Sequence, residues 1–317
     1  MNPLPSAAPP RSGAWLYPLA SGFGLLGWAL ASTLGLRAEL TVLGWGLFIV
    51  GLAVWLERHQ PYNARWRSPV AGDMRRVDLP SALVVLGVVE PLGKLALPLL
   101  ALGVAAQAPA LGRLWPHEAP WALQWLLALL LSELGKYAMH RAHHAWHPLW
   151  RLHALHHGSE RLYWLNGLRI HPLNLLLGQL AALLPLRLAG AGEELLLAVL
   201  AFTQPVLLLQ HANLGLRSGA WNRIFSTHEA HRWHHSARPA EANRNFGAAL
   251  LFWDHVFGSF LDPEHPARRA AAPARIGLFG NGGGYPARSN YGWQLLSALP
   301  RLSWPPRCCA FCCTSSP

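Results

Sequence analysis

The chain is poor in charge and nearly free of cysteine. Only 13% of its 317 residues are Asp, Glu, Lys or Arg, and all four Cys fall in the terminal stretch RCCAFCCTSSP. With no Cys elsewhere, disulfides do not hold the fold. The CC-x-x-CC cluster has no other His or Cys near it in sequence and reads as a frayed tail rather than a metal site. Acidic residues are the scarcer sign, 15 against 26 Lys and Arg. The basic residues sit in short clusters such as ERHQPYNARWR and DMRRVD, between apolar runs. No basic helix or base-stacking motif accompanies them, which argues against nucleic acid as a partner and fits membrane flanks. Solenoid-type repeats are also lacking.

What the chain has in quantity is apolar surface and histidine: 52% hydrophobic residues, 16 Trp and 17 His. A bilayer crossing needs ~20 apolar residues. Six runs approach that length: Trp15–Leu36, Leu40–Leu56, Ser81–Ala106, Trp121–Met139, Leu173–Leu188 and Leu195–His211. The pattern predicts an all-α, multi-span transmembrane helical bundle with four to six embedded helices. MNPLPSAAPPR reads as a disordered leader over residues 1–12, and 13–120 as N-terminal membrane helices. In the third run Glu90 and Lys94 share a face, and Pro91 and Pro98 predict a kink or re-entry. Pro263–Ser289 reads as flexible, with YGWQLLSALPRL after it as a short interfacial piece, so 263–317 forms a separate C-terminal segment.

The Arg-rich stretch Glu57–Asp78 predicts a cytoplasmic side for the ends of the second and fourth runs. His140–Pro172 and everything after His211 then share that side, so two His-rich regions can meet. The expected location is the inner membrane, with a histidine-rich cap facing the cytoplasm.

Spacing in those regions is regular. His140 and His144 form H-x-x-x-H; His153, His156 and His157 form H-x-x-H-H; His231, His234 and His235 repeat it. On a helix, residues three and four apart share a face, so each box presents its imidazoles in one direction. Glu133, Tyr137, His140 and His144 make one polar stripe on an otherwise apolar helix. Imidazole suits transition metals, and three boxes supply eight nitrogens, too many for one four-coordinate ion. His171 and His211, in the polar settings GLRIHPLN and QHANLG, extend the set to ten candidate ligands for two metals. His59, His117, His147 and His265 lie outside the boxes and read as neutral flanking residues. His143 and His228 read as surface rings or as neighbours of ligands.

These motifs resemble the fatty acid hydroxylase (sterol desaturase) superfamily of membrane non-haem di-metal oxygenases, over residues 133–260. ELGKYAMHRAHH is similar to the family's opening, LWRLHALHHGSERLYWLNGLRIHP to its second box, QHANLG to its His-x-Asn element and HRWHH to its third box. NRNFGAALLFWDHVFGSF is similar to its closing signature. Glu133 stands where Asp is commoner, His228 where Pro is usual and His255 where Arg is usual. The resemblance implies that 121–262 is the catalytic region. It also implies two irons (Zn on heterologous expression), O2 as co-substrate, a lipid substrate, and electrons from a separate reductase, ferredoxin or cytochrome. It assigns roles near the metals to Glu133, Tyr137, Asn213, Asn245 and Asp254, with Glu160 a further possible partner for a ligand N–H. Arg141, Arg151 and Arg232, beside ligands, are expected to meet carboxylates or lipid phosphate. The box spacing does not choose among hydroxylation, desaturation and oxidative removal of a group; the resemblance of the closing signature to the hydroxylase/sterol branch implies hydroxylation. A metal transporter would carry its ligands at the midplane of its spans, and a bis-His haem protein needs isolated His on facing helices. Boxes beyond the ends of the apolar runs fit neither as well.

Overall fold

Backbone amides in a long apolar run have no water to bond, and a helix satisfies them within the run. The structure, a computed structural model, describes residues 11–66, 73–107, 110–269, 272–279 and 284–299. The long runs are helical: α1 (Leu16–Thr33), α2 (Ala38–His59), α3 (Met74–Val104), α4 (Trp121–Ala145), α6 (Pro172–Ala189) and α7 (Glu193–Leu209). The box helices α5 (His147–His157) and α8 (His228–His234) are shorter, and α9 (Tyr291–Leu296) comes last. Strand structure among the described residues is limited to a parallel pair, Arg11–Ser12 with Leu216–Arg217, and isolated bridges. The chain is all-α.

Among the described residues, three helices are long and apolar enough to cross a membrane, α2, α3 and α6. α1 packs on α2 and α7, and α4 on α6. α1 turns Leu19, Phe23, Leu26 and Leu30 outward, as a lipid-facing helix does. Apolar burial drives little association between helices in lipid, so close backbone approach at small residues matters more. Gly135 of α4 is such a point: a Cβ there would overlap the Ala181 carbonyl of α6. The main core cluster runs from Tyr17, Ile49 and Val206 in the bundle to Leu214, Phe225 and Leu250 in the cap, which couples the two.

Three local expectations can be set against the structure. α3 begins at Met74 rather than near residue 81, and it neither stops nor re-enters at Pro91 or Pro98. It relaxes in π-helical turns at Met74–Asp78 and Val85–Val89. The second lies just before Pro91, whose ring crowds the carbonyl four residues back. Glu90 accepts from Gln179 of α6 (2.9 Å). At the N-terminus, Arg11 and Ser12 of the expected leader are paired into the cap; the rest of the leader lies outside the described residues, as do the four Cys. In the described part of 263–299, Phe279 stacks on Trp150 (4.9 Å), and Arg151 donates to the carbonyls of Ser297, Ala298 and Leu299.

Candidate metal centre

The C-terminal ends of α2, α4 and α7 and the start of α3 meet at one end of the bundle. Glu57 near the end of α2 accepts from the amides of Trp164 (2.7 Å) and Asn213 (2.8 Å), tying the second-box loop to the end of α7. α4 delivers His140 and His144. The chain breaks at Trp146, and α5 restarts at once with Pro148 in its first turn, returning His153, His156 and His157. α8 is started by Thr227, whose hydroxyl accepts from the Ala230 amide (3.2 Å).

Nine of the ten expected ligands gather into two groups. His140, His144, His153, His157 and His234 form group one; His156, His211, His231 and His235 form group two. Within each group the ligand atoms lie within 4.8 Å of one another. Neighbouring Nε2 atoms are 3.1 and 3.2 Å apart around His153, and 2.9 and 3.1 Å apart around His231. Donors at ~2.1 Å from one ion stand ~3.0 to 3.4 Å apart, which is this spacing.

The hydrogen positions make the same point. Burial above all, helped by neighbouring imidazoles at His153 and His231 and by the Arg169 guanidinium at His156, holds these histidines below their usual pKa, with His156 at about 4 and His234 at about 3. They are therefore neutral at neutral pH, with one N–H per ring. In group one, Nδ1 of His140 faces the Phe246 carbonyl (2.8 Å), His144 faces Asn243 (3.1 Å), His153 faces Asn174 (2.8 Å) and His234 faces the Arg244 carbonyl (2.9 Å). In group two, Nδ1 of His156 faces the Arg169 carbonyl (3.2 Å) and that of His211 faces Asn166 (2.9 Å). Each acceptor oxygen places the hydrogen on Nδ1 and leaves a lone pair on Nε2. The lone pairs of His140 and His153 then face each other at 3.1 Å, and Nε2 of His144 and His234 is buried with no partner. A cation resolves both features, so the residues fit a metal pair.

His171 does not join either group. It caps α6, its Nδ1 accepting from the Leu173 amide (3.1 Å), because Pro172 opens that helix and leaves the cap position to the residue before it. The five residues expected beside the metals make no hydrogen bond to an imidazole. Glu133 accepts from the amides of Ala249 (2.7 Å) and Leu250 (2.8 Å), and Asp254 from those of Phe246 (2.8 Å) and Gly247 (2.7 Å). Asn245, at φ 55°, spans from the Ala230 carbonyl to the Leu261 backbone. These three fix the loop whose carbonyls orient His140 and His234. Tyr137 bonds Ser259 (2.9 Å) and Arg141 (3.1 Å), and Asn213 holds the Asn63 backbone. Glu160 is exposed. Arg232 lies over the Tyr62 ring (3.6 Å) and donates to the Leu214 carbonyl, and Arg151 binds carbonyls. Both His143 and His228 are buried rather than surface rings; His228 bonds the Tyr17 hydroxyl (3.0 Å).

The side chains that do meet imidazoles, Asn166, Asn174 and Asn243, were not singled out by the motif reading. Their signal was available: Asn166 and Asn174 interrupt apolar stretches, and a buried amide requires a partner. Trp150, Phe246 and Phe279 wall group one with apolar rings.

A family model, Fatty acid hydroxylase, matches residues 125–259. Ornithine lipid hydroxylase OlsE of Rhizobium tropici is 36% identical over 225 residues, covering 70% of this chain and 67% of that protein. Alkylglycerol monooxygenases of Caenorhabditis elegans and Danio rerio are 27% and 30% identical, over 47% and 46% of this chain. The match spans only 29% and 33% of those two proteins. No solved structure matches the chain at a significant level. The likeness to the bacterial hydroxylase extends well beyond the His-rich core on both chains, and the chain belongs to the fatty acid hydroxylase superfamily.

Proposed function

We propose that the protein is a membrane-bound, O2-dependent di-iron oxygenase that hydroxylates a membrane lipid. The observation that carries this reading is the convergence of nine neutral imidazoles in two adjoining groups, with unpartnered lone pairs directed inward. Ligands lying beyond the ends of the apolar helices favour it over transport. Nitrogen-only donor sets suit iron and also Zn. When bound, the metal pair supplies the redox chemistry by which O2 places one oxygen atom in a C–H bond and yields the other as water. Two electrons and two protons complete that balance, the electrons coming from a separate donor protein.

The chain's own residues do the rest. The acceptors on Nδ1 fix ring orientation and raise ligand basicity. The walls formed by Trp150, Phe246 and Phe279 exclude water from group one. His140 is the one of the nine histidines that is not fully buried, which favours group one as the side nearer the substrate. Ornithine lipids are the first substrates to test, given the name of the bacterial relative. By the Arg bias of residues 57–78, the cap faces the cytoplasm at the inner membrane.

Lipid profiling by mass spectrometry, in cells with and without the protein, tests the reading. A lipid gaining 16 mass units only with the intact protein is the expected result. A product losing 2 units would make it a desaturase, and an unchanged lipidome with O2 and reductant supplied would refute oxygenation.

A further inference from the structure

Asp78 is buried where the mechanism gives it nothing to do. It lies at the end of the π-helical turn that opens α3, with 0% exposure, and no sequence motif pointed to it. Its Oδ2 accepts from the Tyr163 hydroxyl (2.5 Å), and its Oδ1 pairs with the Arg169 guanidinium (3.4 Å). Arg169 is itself fully buried and donates to the Leu155 carbonyl (3.1 Å) and to Gln294 (3.0 Å). Tyr163 and Arg169 stand immediately before and after the 3-10 turn Trp164–Leu168. One carboxylate therefore grips both ends of a single turn.

The imidazole acceptors on that turn serve one metal group alone. The Arg169 carbonyl accepts from His156 Nδ1 (3.2 Å), and Asn166 Oδ1 accepts from His211 Nδ1 (2.9 Å). Asn166 is held in the turn by accepting from the Tyr163 amide (3.1 Å) and donating to the Arg161 carbonyl (2.6 Å). His156 and His211 both belong to group two. The acceptors of group one come from elsewhere: Phe246, Asn243, Arg244 and Asn174.

We infer that Asp78 is a positioning residue for the second metal: by clamping Tyr163 and Arg169 it orients His156 and His211, and it leaves the first metal unaffected. The inference rests on the metal reading of the two groups. Acceptors of this type are worth ~10–100-fold in metal affinity, and Asp78 acts on two of them.

The experiment is metal content and metal affinity of full-length protein in detergent, with each group silenced in turn. Asp78→Asn should lower the metal count from close to two toward one, with a loss of about 10-fold or more in affinity confined to one site. In a His140→Ala background, which removes a group-one ligand, Asp78→Asn should strip the remaining metal. In a His235→Ala background it should change nothing further. Removing one partner of a buried ion pair also destabilises a fold. Tyr163→Phe, which keeps that pair and frees only one end of the turn, is therefore measured beside it and should weaken the same site by a smaller factor. Equal loss from both sites in either variant overturns the inference, as does full retention of both metals in Tyr163→Phe when Asp78→Asn does not fold. If wild-type protein binds no second metal at all, the metal reading itself fails first, and that outcome is visible before any Asp78 variant is made.

Discussion

The two histidine groups look alike in sequence and are held in different ways. Group one has five imidazoles, and four of them give their Nδ1 hydrogen to an acceptor; three of those acceptors come from 243–246 and one from Asn174. Group two has four imidazoles, and only His156 and His211 have such acceptors, both on the stretch 163–169. The Nδ1 atoms of His231 and His235 are buried without a partner. A ligand held at both nitrogens is preoriented before metal arrives, whereas one held at a single nitrogen loses rotamer freedom on binding. Group one is therefore the more rigid cluster, and group two would depend more on a bound ion.

The largest effect tests whether the groups are separate at all. His153→Ala removes the imidazole whose Nε2 adjoins those of both His140 and His157, and His235→Ala removes a corner of group two. Each variant should lose about one metal of two and all lipid-modifying activity, since a two-metal reaction needs both sites. Metal analysis that finds both ions gone after either change would merge the two groups into one cooperative site.

Next in size is the loop that serves group one. Glu133 accepts two backbone amides, of Ala249 and Leu250, and pairs with Lys136 at 3.2 Å. In Glu133→Ala those buried amides lose their acceptor, a penalty of about 1–3 kcal/mol. The loop carrying the Phe246 and Arg244 carbonyls loosens with them. Group-one affinity should fall by ~10–100-fold while group two keeps its ion. Glu133→Gln retains an acceptor oxygen and should lose far less. An alanine variant with unaltered affinity at both sites would leave Glu133 no role in the loop.

Chelation sharpens the comparison further. With two acceptors against four, group two should release its ion first, so removal of metal by a chelator should run in two phases. A single phase would mean that the hydrogen-bond difference carries no weight in affinity.

How much of this was legible in advance follows from what each feature depends on. The clustering of the histidines was legible because helical spacing is local: three and four residues apart is one face in any helix, and nine of the ten candidates came together. The partners of those ligands were not, because they depend on tertiary placement. Asn166 meets a ring 45 residues away, and the Phe246 carbonyl meets one 106 away. A carbonyl acceptor has no residue type and leaves no mark in sequence. Carboxylates were expected against imidazoles, and the structure sets Glu133 and Asp254 one step further out, on backbone amides. Helix existence was legible from apolar runs. The early start of α3 was not, since a run of Met-Arg-Arg-Val-Asp reads as a flank until its Asp is seen to be buried on Arg169.

The smallest effect concerns His171, which the motif reading placed among the ligands and the structure places at the start of α6. Burial, above all, holds its pKa at about 4, so the ring is neutral and Nδ1 is free to accept the Leu173 amide. The ring also lies against the Leu295 backbone, which brings α6 and α9 together. Both contacts stabilise the fold, and neither touches a metal group. His171→Ala should cost about 0.5–2 kcal/mol, the range for a lost N-cap, and lower the melting temperature slightly with both metals retained. His171→Asn restores a capping oxygen and should recover most of that loss, which an imidazole ligand replaced by an amide would not do. His265→Ala, exposed and outside both groups, gives the baseline for a histidine with no such task. A metal count below two in His171→Ala, with melting otherwise unchanged, would return His171 to the ligand set and make the two groups five and five.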